Sequence, residues 1–254
     1  MRYTTTLQVP KGRLRRVSLA LAALVGLFLA ASGASAAVIN YGDFPGVGPG
    51  EVSFLNVTEN STTDPTPLYG APTRVGNQLL FFPNSFTSYS ANGTADTTSG
   101  TLQMIIQAPQ GMFLQIIVIN EIGDYSLLGW GTDGTSAGVS GLLTVTDLTP
   151  GTNGTASAML NVLPASPYTL PGDTAGEFIG SEIIDPSGKN ITKVQINFNN
   201  ILQTTSEFGT TAFIEKKFLG TSIEVFVPEP ATLSLLALGG AILIHRRRKP
   251  KYKP

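Results

Sequence analysis

The chain has 254 residues, no cysteine and a single histidine, and its 16 Lys and Arg nearly balance its 17 Asp and Glu. The missing thiols exclude disulfides, thiolate metal sites and cysteine nucleophiles. The histidine is His245, close to the C-terminus, so the body lacks the imidazole required for Ser-His-Asp catalysis, His-ligated zinc or a His general base.

The N-terminus reads as an export signal. Arg2, Lys11, Arg13, Arg15 and Arg16 form a basic region, Val17 to Ala31 is an apolar run of secretory length, and Ala34-Ser35-Ala36 is a small-residue cleavage site. Cleavage after Ala36 by signal peptidase is expected. Removing residues 1–36 and 228–254 leaves 191 residues, enough for one domain with a substantial core. That body carries Arg74, Lys189, Lys193, Lys216 and Lys217 against sixteen carboxylates, a formal charge of −11 hidden by the near-neutral whole chain. So acidic a body repels nucleic acid, and no nucleic-acid partner is expected.

Along the body, apolar and β-branched stretches bounded by Gly, Pro, Asn, Asp or Ser predict strands. They run over 51–58, 78–82, 101–108, 112–120, 142–147, 156–163, 191–198, 211–218 and 222–227. Thr192, Val194, Ile196 and Phe198 alternate with Lys193, Gln195 and Asn197, the period of a half-buried sandwich strand. Ala108-Pro109-Gln110-Gly111 suits a hairpin joining two central strands. No helical period and no constant repeat appears, so the expected fold is all-β, a single β-sandwich of jelly-roll type over residues 37–227.

The candidate chemistry is sparse. Without histidine an enzyme would depend on carboxylates, as in glycoside hydrolysis. Glu121 and Asp124, following a strongly apolar strand, are the best-placed pair, although strand-end carboxylates more often make local hydrogen bonds. No catalytic residue is assigned, and the body is expected not to be an enzyme. Asp124, Asp133 and Asp147 lie near Gly-rich turns where calcium could gather oxygen ligands, but no calcium-loop motif accompanies them, and no metal or cofactor is assigned. Trp130, the sole tryptophan, sits between glycines with Tyr125 five residues earlier. These two are the candidates for stacking on sugar rings, against the plainer expectation that Trp130 and Phe113 belong to the core. Asn-x-Ser/Thr triplets at Asn56, Asn60, Asn92, Asn153 and Asn190 are read as a Thr- and Asn-rich surface.

The C-terminus carries the strongest motif. Val227-Pro228-Glu229-Pro230 precedes an uncharged run from Ala231 to Ile244, followed by His245-Arg246-Arg247-Arg248-Lys249. As a helix the 14-residue run is about 21 Å long, against a hydrocarbon core of about 30 Å. Arg246 to Lys249 can extend it by snorkelling and hold that end in the cytoplasm. Pro228, Glu229, Pro230, the apolar run and Arg246, Arg247 and Arg248 together resemble the PEP-CTERM sorting signal. The resemblance implies an exosortase-like processing enzyme as partner, a membrane-anchored precursor held by a C-terminal transmembrane helix, and a cell-surface, biofilm or exopolysaccharide-matrix destination. An uncleaved membrane anchor is the alternative for the tail, and an exopolysaccharide-binding module is the alternative for the body.

Overall fold

Residues 38–228, described by a computed structural model, contain fourteen strands and no helix. The signal peptide, the expected transmembrane helix, Glu229, Pro230 and the arginine cluster lie outside the described residues. Two sheets of seven antiparallel strands form the sandwich. The first runs in the order β1 (Ile39–Phe44), β2 (Ser53–Ser61), β6 (Ala95–Gln107), β13 (Lys193–Thr205), β8 (Ser136–Asp147) and β11 (Tyr168–Thr169), with β9 (Thr155–Met159) also on β8. The second runs β10 (Asn161–Leu163), β12 (Ala175–Ile184), β7 (Ile116–Leu128), β14 (Thr211–Phe226), β4 (Gln78–Phe81) and β3 (Thr73–Val75), with β5 (Thr87–Ala91) also on β14.

Period-two patterning explains the two layers. On β13, Val194, Ile196, Phe198 and Leu202 point inward, and on β7 Ile117, Ile119 and Leu127 meet them from the opposite sheet. Phe54, Phe81, Phe86, Phe178 and Tyr69 fill the space between, all fully buried.

Several elements differ from the sequence-based expectation. Residues 108–111 do make a turn, with the Met112 amide donating to the Pro109 carbonyl at 3.1 Å, but it connects β6 to β7 across the two sheets and is not a hairpin. Both strands are central, so each already has two neighbours in its own sheet. The stretch 156–163 divides at Leu160 into β9 and β10, one in each sheet. Conversely, 211–218 and 222–227 are one strand, β14, interrupted where its pairing with β7 slips between Lys216 and Thr221. Such a bulge inserts residues and changes which side chains face inward: Ala212, Ile214 and Lys216 are buried before it, Thr221, Ile223 and Val225 after it. Asn56, Asn92 and Asn190, three of the five triplet asparagines, have positive φ, the left-handed conformation that Asn tolerates at turns and irregularities.

Candidate functional site

Two places concentrate polar or aromatic groups in ways that packing alone does not require. One is inside the sandwich, the other at one end of it.

The interior centre is built around Glu121 on β7. Alternation along β7 turns Ile119, Glu121, Gly123 and Tyr125 inward and Asn120, Ile122 and Asp124 outward. Glu121 and Asp124 therefore project from opposite faces of one strand and cannot flank a glycosidic bond as an acid/base pair. The Glu121 side chain is fully buried, and its Oε1 receives the Nζ of Lys216, itself fully buried on the adjacent β14. Its Oε2 accepts a 2.6 Å hydrogen bond from Nδ2 of Asn200, which comes from β13 in the other sheet. The Lys216 ammonium also lies over two rings, 5.0 Å from the centroid of Phe86 and 5.8 Å from that of Tyr69. Burial pushes the Lys216 amine below the usual lysine range, against the pull of Glu121.

Glycines make the room. Gly100 on β6 and Gly141 on β8 stand directly beside Asn200 in register. A Cβ at Gly100 would come within 2.9 Å of Phe86 and Tyr69, and one at Gly141 within 3.0 Å of the Asn200 amide nitrogen. Next to this centre, buried Glu59 on β2 accepts backbone amides from Leu68, Tyr69 and Gly70 at 2.6, 3.2 and 3.2 Å and the Tyr41 hydroxyl at 2.7 Å. That carboxylate pins the 68–70 segment, and with it the Tyr69 ring, over Lys216.

Asp124, on the outer face, pairs with Lys217 at 3.0 Å and stands opposite Glu215 in register. Burial and then the charge of Asp124 hold the Glu215 carboxyl above its ordinary value. Lys217 also reaches Glu177 at 3.1 Å. Asp133 lies in the turn before β8, and Asp147 closes a local turn by accepting the Thr149 amide at 2.8 Å. Among the described residues, no three acidic or histidine side chains gather as a metal-ligand set.

The end site contains Trp130. The side chain is completely exposed, so the core assignment of Trp130 is corrected, as is that of Phe113, which is 40% exposed. Trp130 falls in the turn after β7, where no facing sheet covers it. Tyr125, by contrast, is inward-facing, 7% exposed, and stacked parallel on Tyr168 with ring centroids 3.7 Å apart. The structure therefore does not bring Tyr125 and Trp130 onto one exposed face. A second exposed aromatic, Phe208, lies in the β13–β14 turn at the same end. The two turns touch: a Cβ on Gly129 would lie 2.6 Å from the Gly209 carbonyl oxygen.

Glu207 clamps these turns together. Its carboxylate accepts the Thr132 amide and hydroxyl at 2.5 and 2.9 Å and the Thr135 hydroxyl at 3.2 Å. Those bonds from Thr132 hold the Glu207 carboxyl below the ordinary glutamate value. A third turn joins them through the Gly93 amide on the Glu207 carbonyl at 3.1 Å and the Gly209 amide on Asn92 Oδ1 at 3.2 Å.

Lys216, Asn200, Phe208 and Glu207 were not candidates from sequence. A signal existed for Asn200: it occupies the apolar parity of β13, after Val194, Ile196 and Phe198.

The described residues form an all-β sandwich. Residues 226–249 match the PEP-CTERM protein-sorting motif, the signal of an exported, membrane-anchored precursor processed by an exosortase-type enzyme. No curated protein matches the chain. Among solved structures, TmCBM61 in complex with β-1,4-galactotriose is similar at 12% identity and a TM-score of 0.20, over 60% of this chain and 72% of that one. A family 29 carbohydrate-binding module is similar at 10% identity and a TM-score of 0.16, over 66% and 92%. The enzymatically active domain of bacteriophage CBA120 tailspike protein 4 is similar at 15% and 0.16, over 56% and 19%.

Proposed function

We propose that this is a non-enzymatic surface or matrix protein, delivered through its C-terminal signal and displaying the sandwich outside the cell. The observation that carries the reading is where the motif starts: residue 226, the last residue of β14. The sorting segment thus continues directly from a central strand. At that exit Phe226 pairs with Ile116, whereas Thr211, at the start of β14, pairs with Leu128. The Trp130 and Phe208 turns are therefore at the far end of the strand from the tail. Sixteen residues of strand separate the two ends by roughly 40–50 Å, which suits presentation of that end to the surroundings. Signal peptidase, an exosortase-like enzyme and the membrane are the partners this reading requires.

The test is the intact mass of the protein from its native host, mapped at both termini. A body beginning near Ala37 and ending near Pro228-Glu229-Pro230 supports sorting, and a species retaining Arg246 to Pro254 identifies a permanent anchor instead.

A second reading, an exopolysaccharide-binding module, is favoured by one observation: a fully exposed Trp130 on a turn held by Glu207. A large aromatic face fixed in place offers apolar contact at little cost in conformational entropy.

A further inference from the structure

We propose that Lys216 and Asn200 become joined by an intramolecular amide bond, with Glu121 relaying the protons, so that the folded protein carries a covalent link between its two sheets. The three groups have the chemistry that such a step needs: a buried primary amine, a carboxamide as acyl donor, and a carboxylic acid touching both. Glu121 holds the Lys216 amine on one oxygen and the Asn200 amide on the other, so the two reactants sit side by side on a single carboxylate. That is the proximity that turns a sluggish aminolysis into an effectively unimolecular one.

The surroundings favour it. Lys216 and Glu121 have no side-chain exposure, Asn200 is fully buried, and Phe86 and Tyr69 roof the amine. Water, the competing nucleophile, is kept out. Burial depresses the amine toward its neutral, nucleophilic form. Oδ1 of Asn200 is buried and has no hydrogen-bond partner, which a structural asparagine at a sheet interface would ordinarily have. The register partners of Asn200, Gly100 and Gly141, place no side chain of their own beside it, and a Cβ at Gly141 would come within 3.0 Å of its amide nitrogen.

The step balances without an external reagent. Lys216 passes a proton to Glu121, and the neutral Nζ attacks Cγ of Asn200. A half-turn of the amide sets Oδ1 against the protonated Glu121, which donates to the developing oxyanion. The tetrahedral carbon then collapses: the Cγ–Nδ2 bond breaks, Glu121 carries the second proton from Nζ to Nδ2, and ammonia leaves. The Nζ–Cγ amide remains, and Glu121 is left protonated in an apolar site.

The experiment is mass spectrometry of the full-length or host-processed protein under denaturing conditions, with peptide mapping. The expected result is a mass lower than the sequence requires by one ammonia, and a branched peptide joining the residues around 200 to those around 216. An unmodified mass overturns the proposal. So does loss of one water with Lys216 linked to Glu121, and so does loss of ammonia confined to a succinimide at Asn92-Gly93 or Asn153-Gly154. Asn200→Asp should convert the loss from ammonia to water, and Glu121→Gln should leave the sequence mass. Because the wild-type mass decides alone, failure of a variant to fold does not protect the idea. The termini are read in separate peptides, so failure of the link leaves the sorting reading untouched.

Discussion

Asn200 and Glu121 meet at 2.6 Å across the sandwich, one from each sheet, and Lys216 completes the contact from the strand beside Glu121. Until Lys216 is joined to Asn200, it forms a fully buried charged pair with Glu121, and removing one partner of such a pair is costly. Glu121→Leu should lower unfolding free energy by about 3–5 kcal/mol, since it strands a buried amine. Adding Lys216→Met removes that stranded amine, so the double variant should be more stable than Glu121→Leu alone, neither of them forming the link. Urea denaturation of the single and double variants measures both, and a double variant no better than the single one contradicts the assignment.

Trp130 reports on Glu207. The Glu207 carboxyl sits below its ordinary value of 4.5 because Thr132 donates to its ionised form. Its contribution to holding the turn is therefore complete above the unfolded value and is lost as pH falls through the lower, folded value. Fluorescence anisotropy of the single tryptophan should fall in a transition centred below pH 4.5. Glu207→Gln should give low anisotropy already at neutral pH and no such transition.

Glu215 has the opposite sign. Burial and Asp124 raise its folded value, so its ionisation works against folding at neutral pH and ceases to do so below the unfolded value. Glu215→Gln should raise the melting temperature at pH 7 and leave it unchanged near pH 3. Paired thermal scans at the two pH values decide this.

Glycine replacements should rank by what the new methyl meets. At Gly123 a Cβ would lie 2.2 Å from Phe178 and 2.3 Å from the Glu215 carbonyl oxygen, and the backbone atom cannot yield. Gly123→Ala should therefore cost more than Gly100→Ala, where only the Phe86 and Tyr69 rings, at 2.9 Å, must shift, for about 1–3 kcal/mol. Gly111→Ala meets nothing within 4 Å and carries only the strain of a φ of +79°, about 1 kcal/mol.

Trp130→Ala, alone and with Phe208→Ala, should change stability by less than about 0.5 kcal/mol, as expected for surface sites. If the body binds exopolysaccharide through this end, retention on the immobilised polymer should be lost with the circular dichroism unchanged. Retention that survives both substitutions would remove this end from consideration.

What could be read before the structure follows from the range of each signal. Alternation in 191–198 is local, and β13 takes the orientation it predicts. The hairpin at 108–111 failed because turn chemistry says that the chain reverses, not whether it returns to the same sheet. From the sequence Glu121 reads as a strand-end carboxylate, yet β7 continues to Leu128, which places it mid-strand and inward. Its partners lie 79 and 95 residues downstream, and no local pattern connects them. Tyr125 and Trp130 are five residues apart in sequence, but a strand parity and a turn separate an inward ring from an outward one.

The direct passage from β14 into the sorting segment has a mechanical meaning. Tension applied through the tail enters a strand bonded to β7 along nearly its whole length and to β4 and β5 on its other side. Pulled along its axis, such a strand loads its ladders in shear, with many bonds resisting together, instead of being peeled open one at a time. If the sandwich is displayed through this tail as proposed, a load entering at Phe226 falls directly on a strand in the middle of its sheet.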